Sequence, residues 1–132
     1  MRRFVYPLSG QITENMFWTG DNWVSDDVTI QSGKTVTARA GSVTTVLANK
    51  KIIVAEGATL IVKDNAQFKF EDGASIDVQG SLIVQGTVLH PAILTSTTPS
   101  GSWSGIDIGA SATDCSIDYA HFSNASTAIT VP

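Results

Sequence analysis

Apolar and polar residues alternate along this chain in short bursts, and the bursts recur every eight residues between positions 25 and 84. Val28, Val36, Thr44, Ile52, Leu60, Phe68 and Ile76 occupy one phase of the octad. Ile30, Ala38, Val46, Val54, Val62, Phe70 and Val78 stand two places later. All but Thr44 are apolar, and a spacing of two places both members of a pair on one side of an extended chain. Three places before each burst comes a small or turn-forming residue: Ser25, Gly33, Gly41, Asn49, Gly57, Asn65 or Gly73. Gly and Asn tolerate the left-handed backbone of a sharp bend. Each octad therefore predicts one short strand and one corner.

A strand this short cannot bury its apolar side alone, so octads must stack. Taking three octads to a coil aligns Val28 with Ile52 and Ile76, and Ile30 with Val54 and Val78. Val36 and Leu60 then continue to Leu82, Ala38 and Val62 continue to Val84, and Thr44 falls below Phe68. The expected fold class is all-β, a parallel β-helix with three sheets around one apolar column and coils about 4.8 Å apart. Parallel crossovers are right-handed in about 98 % of cases, which sets the expected hand. An antiparallel sandwich is the rival, but its turns do not recur at one fixed spacing.

Residues 1–24 do not follow the octad and carry Phe4, Tyr6, Phe17, Trp18 and Trp23. They are expected to cap the N-terminal end or lie against one sheet, with residues 25–132 forming the helix proper. The pattern loosens over residues 86–105, where Pro, Ser, Thr and Gly predict a longer corner loop between Thr95 and Trp103. Ile106 and Ile108 follow Leu82 and Val84 by 24 residues, and Ile129 and Val131 come 23 later. This places a strand without a polar terminal repeat beside Pro132.

Composition narrows the classes. Hydrophobic content of 42 % with 15 % charged residues in 132 positions fits one ordered domain with a buried core. A net charge of −4 excludes broad attraction to nucleic acid. No apolar run approaches the roughly 20 residues of a membrane span. The opening MRRFVYPLSGQ is too short in its apolar part for a secretory leader. An extracellular or cell-surface location is expected if a signal peptide has been removed; otherwise the compartment stays open. One cysteine, Cys115, excludes an internal disulfide framework and reads as a small apolar filler.

Candidate chemistry is sparse. Basic residues end at Lys69, so the last coils offer no cationic proton acceptor for a lyase. A hydrolase would need two carboxyls close together; Asp107, Asp114 and Asp118 are the candidates, and Asp107 and Asp118 fall at outward positions. His90 and His121 stand apart from other ligand types. No catalytic residue, cofactor or metal site is expected. For binding, Trp18, Trp23 and Trp103 are candidates for stacking on glycans. For self-association the candidates are Ile53, Ile61 and Ile83, apolar at outward positions, and the end-strand residues Ile129 and Val131. Residues 1–69 carry eight basic and six acidic side chains, whereas residues 70–132 carry six acidic and no basic ones. Head-to-tail stacking would bring these unlike halves together.

From Gly33 on, the chain resembles right-handed parallel β-helix domains of bacterial and archaeal surface or secreted proteins, a superfamily that shares its architecture with pectate lyases. The residues that carry the resemblance are GKTVTARAG from Gly33, GSLIVQGT from Gly80, PAILTS from Pro91 and WSGIDI from Trp103. The resemblance implies a spacer, an adhesin stalk or a carbohydrate-associated module. The expected function is a non-enzymatic structural module whose partner is itself, head to tail, or further coils of a parent protein. A carbohydrate-binding module with glycans as partners is the alternative.

Overall fold

A computed structural model describes residues 5–98 and 100–131, with side chains from residue 8 onward. Arg2, Arg3, Phe4 and Pro132, and the side chain of Tyr6, lie outside the described part. The chain runs through β1 (Val5–Ile12), β2 (Met16–Trp18), β3 (Asp21–Ile30), β4 (Thr35–Ala38) and β5 (Val43–Val46). It continues through β6 (Lys51–Val54), β7 (Thr59–Lys63), β8 (Gln67–Phe70), β9 (Ser75–Val78) and β10 (Ser81–Gln85). The remaining strands are β11 (Ala92–Ser96), β12 (Gly105–Ile108), β13 (Ser116–Asp118), β14 (Ala120–Phe122) and β15 (Ile129–Thr130). Among the described residues there is no helix, and the strands stack in parallel as a β-solenoid of about 5 turns.

Each coil visits three faces in the same order. Face A stacks the first half of β3 on β5, β8, β11 and β14. Face B stacks the second half of β3 on β6, β9, β12 and β15. Face C stacks β2 on β4, β7, β10 and β13. The predicted columns are in register: Val28–Ile52–Ile76 on face B, Val36–Leu60–Leu82 on face C, and Thr44 on Phe68 on face A. The three expected sheets are, however, hydrogen-bonded as two. β3 runs straight across a corner and joins faces A and B into one ten-stranded sheet, with β1 alongside it.

The marker residues make the corners. Lys34 N–H donates to the Gln31 carbonyl at 3.0 Å, closing a β-turn whose third residue, Gly33, has φ of 83°. Gly41, Asn49, Gly57, Asn65 and Gly73 repeat this, with φ between 60° and 83°. Corners also bond to one another along the stack, as where Gly33 N–H donates to the Gly57 carbonyl at 3.0 Å. Ser25 departs from the pattern: it lies inside β3, where the chain crosses the corner without a turn.

Two further expectations change. Residues 5–24 enter the stack as strands, β1 beside β3 and β2 beside β4. They escaped the octad because this first coil is short: Gly10 pairs with Val28 only 18 positions on. Ile106 and Ile108 pair with Ile76 and Val78 on face B, not with Leu82 and Val84. The irregular stretch had hidden a whole strand, β11, which pairs with β8 and adds a side to that coil.

The core is one apolar column with aromatic rings at its centre. Phe70 stacks on Trp103 at 4.0 Å between centroids and 5° between planes, and the run extends to Phe68, Trp18 and Phe122. Trp103 reaches the interior from the loop before β12 and donates its Nε1–H to the Ser123 carbonyl at 2.8 Å. That loop is thus anchored by a side chain of the kind that dominates core energetics.

Candidate functional site

The three tryptophans separate. Trp18 and Trp103 are fully buried, so neither offers a ring face to a sugar, and the expected Trp18–Trp23 platform is not formed. Period-two alternation explains this: Trp18 shares the inward phase of β2 with Met16, and Trp103 fills the space above Phe70. Trp23 is 45 % exposed and stands in an outward column on face A, followed in register by Thr45, Lys69 and Thr95. Lys69 and Thr95 also line an open hollow of about 360 Å³ with Ser96, Thr97, Thr98 and Asn124.

Of the outward isoleucines, Ile61 and Ile83 stack in register on face C, as their spacing implied. Ile53 does not join them; it stands on face B between Thr29 and Asp77. Among the described residues the N-terminal segment does not lie over the ladder. Instead β2 extends its column, with Phe17 paired to Thr37 and Thr37 to Ile61. Phe17 is 65 % exposed, and the Arg39 guanidinium lies 5.1 Å from its ring centroid. Phe17, Thr37, Arg39, Lys63 and Asp64 border a hollow of about 380 Å³. Sequence reading missed Phe17 because its tryptophan neighbour drew attention; alternation from the inward Trp18 would have found it.

The carboxylates are dispersed. Asp107 faces out on face B and Asp118 ends face C, so the two do not converge. Asp107 instead stacks on Asp77, a pair thirty residues apart that only the register of β12 reveals. Among the described residues no three His, Cys, Asp or Glu side chains gather as a metal site. His90 and His121 are exposed, and Cys115 is half-buried against the core. At the A–B corner the Asp26 carboxyl is held below its ordinary range by the Asp27 backbone N–H at 2.9 Å, and then by the Lys50 ammonium at 3.4 Å.

The ends carry the least satisfied surface. β13, β14 and β15 close one margin of the sheets, one on each face, and among the described residues no strand lies beyond them. β1 and β2 form the opposite margin. Edge strands present unpaired N–H and C=O groups in a row. Apolar side chains accompany the C-terminal margin: Ile129 is 37 % exposed, Tyr119 60 % and Val131 64 %. The N-terminal margin has a hollow of about 240 Å³ lined by Leu8, Ser9, Gln11, Ile12, Thr13, Glu14 and Met16. Arg2 and Arg3, two of the eight basic residues behind the expected charge difference, lie outside the described residues. The described residues of the first coil include Glu14 and Asp21 and no Lys or Arg, whereas Lys34, Arg39, Lys50, Lys51, Lys63 and Lys69 sit on the coils after it. Comparison with family models, with curated proteins and with solved structures returned no match.

Proposed function

We propose that this chain is a non-enzymatic structural β-helix module that joins end to end with further coils. Those coils belong to a second copy or to a longer parent chain. Fibres or stalks of an extracellular or cell-surface protein, of the pectate-lyase-like β-helix superfamily, are the setting in which such a module would serve. The observation that carries the reading is the pair of open margins. Each offers a strand edge on every face, and all strands run in one direction, so a coil added at either margin extends the parallel ladders. Negative-stain microscopy with light scattering at low and high salt tests this; the expected result is fibres or a mass that grows with concentration. A strict monomer at high concentration in both salts would rule out assembly of the chain with itself.

A second reading, a carbohydrate-binding module, rests on the column of Trp23, Thr45, Lys69 and Thr95. It combines one exposed ring with hydroxyl groups and a cation on a rigid face. Glycan-array binding that is lost on Trp23→Ala would favour it.

A further inference from the structure

Columns that begin at one margin end at the other in the same phase, and from this continuity we infer the register of a head-to-tail contact between copies of the chain. The inference rests on the end-to-end reading above and adds the polarity and the pairs. On face B one inward column runs Gly10, Val28, Ile52, Ile76, Ile106, Ile129, each in register with the next. It begins with no side chain and ends with an isoleucine that is partly exposed. A Cβ on Gly10 would meet nothing within 4 Å, and its chain neighbours Ser9 and Gln11 line the 240 Å³ hollow with Leu8, Ile12 and Met16. One margin thus carries an apolar knob where the other carries a gap with Leu8, Ile12 and Met16 on its wall beside the polar Ser9, Gln11, Thr13 and Glu14.

Placing Gly10 of one copy on Ile129 of the next continues this column in phase. The same step sets Thr130 against Gln11 in the outward column, which runs Gln11, Thr29, Ile53, Asp77, Asp107, Thr130. On face C it sets Ile117 against Trp18, both members of the inward column that passes through Ala38, Val62 and Val84. On face A the backbone of residue 6, which pairs with Asn22, falls against Phe122 at the far end of the column through Asn22, Thr44, Phe68 and Leu94. One translation along the axis therefore keeps inward positions on inward positions on faces B and C and continues the backbone register on face A. A shift by a single residue would turn each of these strands over, apolar side outward. The contact uses two different surfaces, so it leaves an open margin at each end and propagates.

Cross-linking reads the register directly. In a Cys115→Ser background, the pair Gln11→Cys with Thr130→Cys places cysteines on adjacent parallel strands at about 4.8 Å, inside the range of Cα separations that a disulfide spans. Mild oxidation is expected to give a ladder of covalent multimers on non-reducing gels. The offset pair Thr13→Cys with Thr130→Cys, two residues further along the chain and just past the end of β1, is expected to give at least tenfold less. Light scattering on the same samples before oxidation separates the two levels. Assembly with no ladder from the Gln11 and Thr130 pair, or with a stronger ladder from the offset pair, would overturn the register and leave end-to-end joining intact. A monomer before oxidation would overturn both.

Discussion

At Asn49 and Asn65 the backbone is left-handed, with φ of 61° and 60°, at positions where the neighbouring coils use glycine. A β-branched side chain there clashes with its own backbone, so Asn65→Val should lose about 1–2 kcal/mol. Asn65→Gly should stay within a few tenths of wild type; paired urea denaturation curves check both. Thr44 is the one polar residue in the inward phase of the octad, and its Oγ1 is buried with no hydrogen-bond partner. Thr44→Val keeps the shape and removes a stranded hydroxyl, and should raise stability by about 1 kcal/mol. A loss instead would mean that the hydroxyl has found a partner. Trp103 is the opposite case. Its ring and its Nε1–H are both used inside the solenoid, so Trp103→Ala should cost about 3–5 kcal/mol and melt the loop before β12 first, as hydrogen exchange would report. A buried ring with this role is a poor candidate for glycan contact, whatever its residue type suggests.

The strand is the scale at which alternation decides what faces water. β4 to β10 follow one rule: inward residues are buried and the residues between them are partly covered by the coils above and below. Neighbours along a face therefore matter as much as neighbours in sequence. Asp77 and Asp107 meet in this way, and stacked like charges oppose pairing. Asp107→Lys should stabilise by about 0.2–1 kcal/mol at low salt and by less at high salt, which thermal melts at two ionic strengths would show. At the A–B corner, where β3 crosses without a turn, the carboxyl of Asp26 takes the Asp27 N–H and faces Lys50. Its folded pKa is lowered, so whatever it adds to stability is present above the unfolded value near 3.8 and is lost as pH falls through the folded one. NMR titration should place its midpoint below 3.8.

For the whole molecule the margins matter more than the faces. Lysine at position 129 would put a charge at the end of the face B column, where the chain alone leaves it partly solvated. Ile129→Lys should leave the circular dichroism of the monomer unchanged and lower the assembled fraction at least tenfold by sedimentation. If the variant assembles as wild type does, the face B margin is not the contact. Because the positive side chains of the described residues sit on the coils after the first, end-to-end joining should depend on backbone pairing and apolar contact more than on charge. High salt should therefore weaken it little, contrary to what the charge difference between the two halves implies.

The regular coils were legible in the residues themselves. A period of two sorts inward from outward, a left-handed corner demands Gly or Asn, and 24-residue spacing brings like positions together. These constraints are local and repeat, so Val28, Ile52 and Ile76 could be aligned without coordinates. Where coil length changes, the rule loses its count. The short first coil hid β1 and β2, and the long one moved Ile106 to another face, because loop length is not constrained by the packing that constrains strands. Which tryptophan is buried, which carboxylates are neighbours, and which residues stand at the two margins are set by register between distant segments. The sequence alone determined the coil; the tertiary structure decided what its surfaces and its ends present, because those depend on which residues come to lie one coil apart.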